Sequence, residues 1–124
     1  MLGNKDAIAT IAVKDLRAAV KFYSDTLGLK NEGGDQTAAI MYTSGNSKVL
    51  VYQSEYAGSN KATAANWSVG ADLEPVVQGL AKKGVKFEHY DMPGVTRQGD
   101  IHDAGGQKIA WFKDPDGNIL ALLG

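Results

Sequence analysis

Ala7-Ile8-Ala9-Thr10-Ile11-Ala12-Val13-Lys14-Asp15-Leu16, positions 7–16, decides the architecture because its periodicity changes partway along. Ala7 to Val13 is apolar and partly β-branched, so it reads as a strand, with Ile11 and Val13 on one face. Asp15 then reads as a helix cap whose carboxylate accepts a bond from an unsatisfied first-turn amide. From there Leu16, Val20, Tyr23 and Leu27 recur at helical spacing and form a single stripe. Gly28 follows, placed to end the helix in a left-handed conformation.

The same order returns in the second half. Ala65 to Val69 reads as a strand, Asp72 as a cap, Leu73, Val76, Val77 and Leu80 as the stripe, and Gly84 as the stop. Asp15-Leu16 corresponds to Asp72-Leu73, and the two Asp-to-Gly intervals are nearly equal. Three short strands follow each helix, near 29–32, 37–43 and 48–53 in the first half and near 85–90, 108–113 and 119–123 in the second. Each half is therefore readable as β-α-β-β-β. Such a module has a sheet face and a helix stripe to bury but too little core alone. The 124 residues are expected to make one domain, with module one at about 7–56, a polar connector at about 57–63 and module two at about 64–124.

Composition removes several function classes. A net charge of −1 with scattered basic residues gives no general attraction to nucleic acid or to an anionic membrane. There are no cysteines, hence no disulfides, thiolate nucleophiles or Cys-based metal sites. No run approaches the roughly 20 apolar residues of a membrane span. The first residues lack the apolar run of a secretory signal, so the cytoplasm is the expected location. There is no P-loop, no G-x-G-x-x-G and no G-x-S-x-G; Gly33-Gly34 and Gly105-Gly106 read as turns.

Val13-Lys14-Asp15-Leu16, Phe22-Tyr23, Leu27-Gly28 and, near the end, Ala110-Trp111-Phe112-Lys113-Asp114-Pro115-Asp116-Gly117-Asn118 occur in the order and spacing of one family. With them the chain resembles the vicinal oxygen chelate superfamily, also called the glyoxalase/bleomycin-resistance/dioxygenase superfamily. The resemblance implies an α+β fold in which two βαβββ modules form a curved mixed sheet around a cavity, and it implies a homodimer. The Asp-Pro-Asp-Gly-Asn stretch also has a local account, since Pro115 and Gly117 suit a tight turn.

In metal-dependent relatives inward His, Glu or Gln side chains hold a divalent ion that polarises substrate oxygens. The resemblance maps the ligand positions to Ile8, to the neighbourhood of Ala64, to the strand Val49-Leu50-Val51-Tyr52, and to Ala121. Ile8, Ala64 and Ala121 offer no donor atom. Asn66, Thr63 or Gln53 would not repair the set. His89, on a probable strand, and His102, in a Gly- and Asp-rich loop, do not form a compact pair. No metal and no cofactor are expected.

Aromatic residues offer a different chemistry. Trp67, Trp111, Tyr42, Tyr52 and Tyr90 fall on probable strands, with Met41 among them. Pointing inward, they would give a planar or amphipathic ligand ring faces for stacking and O–H or N–H groups for orientation. His89, His102 and Arg97 are further candidate contacts. The loop Asp91 to Arg97 reads either as a border of the cavity mouth or as a merely solvated connection, and Gln98-Gly99-Asp100 reads as flexible, whether as a lid or by passive mobility. The reading is metal-independent binding or sequestration of a small amphipathic or aromatic molecule, an antibiotic being one ligand class. The alternatives are a glyoxalase-like lyase, isomerase or dioxygenase with displaced or absent metal ligands, and a structural or partner-binding module.

Overall fold

A computed structural model describes residues 1–33 and 38–124. Thr37, the expected start of one strand, and Gly34 of the Gly33-Gly34 turn lie outside the described residues. The chain divides into two compact units, Met1–Ala57 and Gly58–Gly124.

In the first unit β1 (Ala9–Val13) leads into α1 (Leu16–Val20), which runs on through wider π turns over Lys21–Thr26. Asp15 caps it as expected: the backbone N–H of Arg17 donates to the Asp15 carboxylate at 2.9 Å. Gly28 leaves the helix at φ +76, a left-handed conformation that any Cβ would strain. β2 (Lys30–Asn31), β3 (Ala39–Ser44) and β4 (Ser47–Gln53) complete a sheet of order β1-β4-β3-β2, with β1 parallel to β4 and the rest antiparallel. Strand alternation assigns the faces. Ile11, Val13, Ile40, Tyr42, Val49 and Val51 share one side and are all buried. The helical segment covers that side, its buried Tyr23 lying 6.2 Å from the ring of Tyr42. Ala12, Ala39, Met41, Leu50 and Tyr52 face the other way.

The second unit repeats the plan with an addition. β5 (Thr63–Ser68) is followed by a 3₁₀ turn over Gly70–Asp72 and by α2 (Leu73–Lys82). Asp72 belongs to that turn and its side chain makes no cap bond, so the expected second cap is absent. β6 (Phe87–Glu88), β9 (Gln107–Lys113) and β10 (Ile119–Leu123) are the strands the repeat requires. Between them lies a hairpin, β7 (Thr96–Gln98) and β8 (Ile101–Ala104), where the sequence reads as loop. The order is β5-β10-β9-β8-β7, with β6 also on β9, and β5 runs parallel to β10 as β1 does to β4. Gly105 and Gly106, at φ +64 and +98, make the two-residue turn from β8 to β9, a geometry that demands positive φ twice.

Asp114 organises the last turn. It is buried, and its carboxylate accepts from the N–H groups of Asp116 and Asn118 and from the Asn118 side-chain amide, at 2.8–3.0 Å. Gly58 lies against the same turn at φ +72, and a Cβ there would run into the Asp116 carbonyl.

Candidate functional site

The register of the second sheet settles which side chains can meet. Trp111 pairs with Ala121 and Ala121 with Asn66, so these three share a face. Ala110 pairs with Leu122 and Leu122 with Trp67, which puts Trp67 on the opposite side, with Phe112 and Leu120. A one-residue offset reverses a strand side chain, so Trp67 and Trp111 cannot line one surface of this sheet. The Trp67 side is the helix side. Ile101, Asp103 and Lys108, which share that face with Ala110 and Phe112, line a groove of about 760 Å³ together with Leu73 and Glu74 of α2.

The face away from α2 carries the candidate site. His102 pairs with Ile109, two residues before Trp111, and is 0% exposed. Its ring meets the Trp111 indole edge-to-face, with centroids 4.8 Å apart and planes at 77°. Tyr90 meets the same indole at 5.3 Å and 72°, and lies 6.3 Å from the His102 ring. Such edge-to-face pairs contribute about 0.5–1.5 kcal/mol each beyond their burial. His89 adds a fourth ring, 6.4 Å from His102.

Hydrogen bonds hold these rings in place. Just past β6 the chain leaves its ladder with β9, and the Tyr90 backbone N–H donates instead to His102 Nε2 at 3.0 Å. His89 Nε2 lies 2.7 Å from Asp100 Oδ1, tying the same segment to the β7–β8 turn. The Trp111 indole N–H donates to the Thr63 hydroxyl at 3.2 Å. Two buried polar atoms, the Tyr90 hydroxyl and His102 Nδ1, have no hydrogen-bond partner among the described residues. Burial, and then the neighbouring Glu88 carboxylate, push the Tyr90 phenol above its ordinary value.

Of the nine residues singled out in the sequence, the structure brings four together: His89, Tyr90, His102 and Trp111. Two of them lie in a setting other than the one their sequence suggests. His102 lies on strand β8 rather than in a loop, and His89 just beyond β6 rather than on a strand. Arg97 pairs with His102 but bends its guanidinium onto the Gly99 carbonyl at 2.7 Å and borders the groove. Tyr42 is a core residue of the first unit, its hydroxyl accepting from Ser24, whereas Met41 and Tyr52 lie on the opposite face of that sheet. Thr63 and Asp100 were not foreseen as partners of Trp111 and His89, because only strand register reveals those pairings.

The family's metal does not fit these residues. Ala64 and Ala121 sit on β5 and β10 with no donor atom, and Ile8 precedes β1. Gln53 uses its side-chain amide N–H on the Lys14 carbonyl. Among the described residues no group of three His, Asp or Glu comes together in a way that would hold an ion. No helix among them is long and apolar enough to cross a membrane.

Comparison with known proteins places this geometry. The model of the Glyoxalase/Bleomycin resistance protein/Dioxygenase superfamily matches residues 6–122. No curated relative matches the chain. Among solved structures, a glyoxalase family protein from Enterococcus faecalis is similar over 100% of both chains, with TM-score 0.75 and 18% identity. A lactoylglutathione lyase from Agrobacterium tumefaciens aligns over 99% of this chain and 95% of its own, with TM-score 0.72 and 15% identity. A fosfomycin resistance protein from Mesorhizobium loti aligns over 99% and 92%, with TM-score 0.68 and 14% identity. At such identities the likeness concerns the fold alone.

Proposed function

The chain belongs to the Glyoxalase/Bleomycin resistance protein/Dioxygenase superfamily, and from that premise we propose that it binds a small aromatic or amphipathic molecule without a metal. The observation that carries this reading is the cluster of Tyr90, His102 and Trp111 on the sheet face away from α2. It combines ring surfaces with two buried polar atoms that have no partner among the described residues. Binding sites are characteristically apolar surfaces with a few placed polar groups, and a native structure seldom leaves buried polar atoms unmatched without cause. The donor-free positions Ala64 and Ala121 favour binding over chemistry at a metal ion. Sequestration in the cytoplasm, by a homodimer as the resemblance implies, belongs to the same reading.

The two tryptophans supply the test. Replacing Trp67 by Phe leaves Trp111 as the single indole, and ligand titration should quench or shift its emission. Trp111→Ala should weaken binding at least about tenfold, equivalent to ~1.4 kcal/mol, while Trp67→Phe leaves affinity unchanged. Equal loss on both substitutions would remove the cluster from the site. Steady turnover of S-lactoylglutathione or fosfomycin, with or without added Mn²⁺ or Zn²⁺, would replace binding by catalysis.

A further inference from the structure

The Tyr90–His102 bond fixes more than a ring position. A backbone N–H can only donate, so His102 Nε2 must present a lone pair to Tyr90. The imidazole then carries its proton on Nδ1, the ring atom that finds no partner among the described residues. His102 thereby accepts at Nε2 and presents a buried donor at Nδ1. The tautomer is set by the main chain at the point where β6 ends, and is independent of any metal. The His102 ring lies among aromatic rings, its centroid 4.8 Å from that of Trp111 and 6.3 Å from that of Tyr90.

We propose that His102 Nδ1–H is the anchoring donor of the site and selects aromatic ligands that carry an acceptor oxygen, such as an aryl ketone, over apolar analogues of the same shape. This rests on the binding reading above and adds the ligand class. The physical basis is asymmetric: an acceptor that meets the donor restores a bond, whereas an apolar isostere keeps a buried N–H unpaired.

The test has two arms. In protein with ¹⁵N-labelled histidine, the ring nitrogens of His102 should show the Nδ1–H tautomer before any ligand is added, and the Nε2–H tautomer would overturn the proposal outright. Acetophenone and isopropylbenzene, which differ by a carbonyl oxygen against a methyl, are then titrated into the wild-type protein. Acetophenone should bind at least about tenfold more tightly and shift the Nδ1 resonance. Equal affinities would overturn the donor assignment while leaving the binding reading intact; binding of neither compound would defeat both. His102→Gln retains an acceptor for Tyr90 N–H and a donor for the ligand, so it should keep part of the preference. His102→Phe should abolish the preference without abolishing isopropylbenzene binding, and a preference that survives in a folded His102→Phe protein would overturn the proposal.

Discussion

Three hydrogen bonds converge on the buried carboxylate of Asp114. Removing it strands the N–H groups of Asp116 and Asn118 in the turn that joins β9 to β10, next to the close approach of Gly58. Bonds to a charged acceptor contribute about 1.5–3 kcal/mol each and are not additive, so Asp114→Ala should cost roughly 2–4 kcal/mol. Urea denaturation checks this through the midpoint; a loss below about 1 kcal/mol would show that water replaces the carboxylate. The turn role of this stretch was legible in the sequence because Asp, Pro, Gly and Asn have local preferences. The division of labour among the aromatics was not. Trp67 and Trp111 look equivalent in a sequence, and their opposite faces follow from register across β10, which composition does not encode.

At the level of elements, the repeated strand–helix order was readable because period-2 and helical stripes alternate plainly in both halves. The β7–β8 hairpin was missed because its first strand, Thr96–Gln98, is short, polar and fully exposed. The available signal was Gly99-Asp100, a two-residue connection with glycine first and φ +62, which favours a tight hairpin over a lid. This hairpin carries His102, and two side-chain contacts clip it to the segment after β6. One is the His102–Tyr90 bond and the other is His89 with Asp100. The second pair is partly solvated, with side chains 44% and 37% exposed, so it contributes under about 1 kcal/mol to global stability. Its effect should be local. Asp100→Ala should accelerate amide exchange in β7 and β8 several-fold while β9 and β10 keep their protection. Uniform acceleration across the second sheet would mean that the pair supports the whole unit rather than the hairpin.

On the scale of the whole molecule, the chain belongs to the superfamily while Ile8, Ala64 and Ala121, at or near positions that the resemblance maps to metal ligands, carry aliphatic side chains. On the proposed reading, binding energy comes from ring surfaces and a few hydrogen bonds, neither of which needs a divalent ion. A ligand or ion that binds only the native state raises its melting temperature, so the apparent stability of the full chain reports any metal it uses. Exhaustive dialysis against EDTA should shift the melting temperature by no more than about 1 °C, and readdition of Zn²⁺, Ni²⁺ or Mn²⁺ should not raise it. Acetophenone affinity should be the same before and after chelation. A metal-dependent rise of several degrees would require donors other than those the family uses, and would return the lyase or dioxygenase reading to first place. Insensitivity to chelation together with a Trp111-dependent affinity would mean that the second module supplies its ligand contacts from rings alone, with the main chain at Tyr90 setting the chemistry that a metal sets in the metal-dependent relatives.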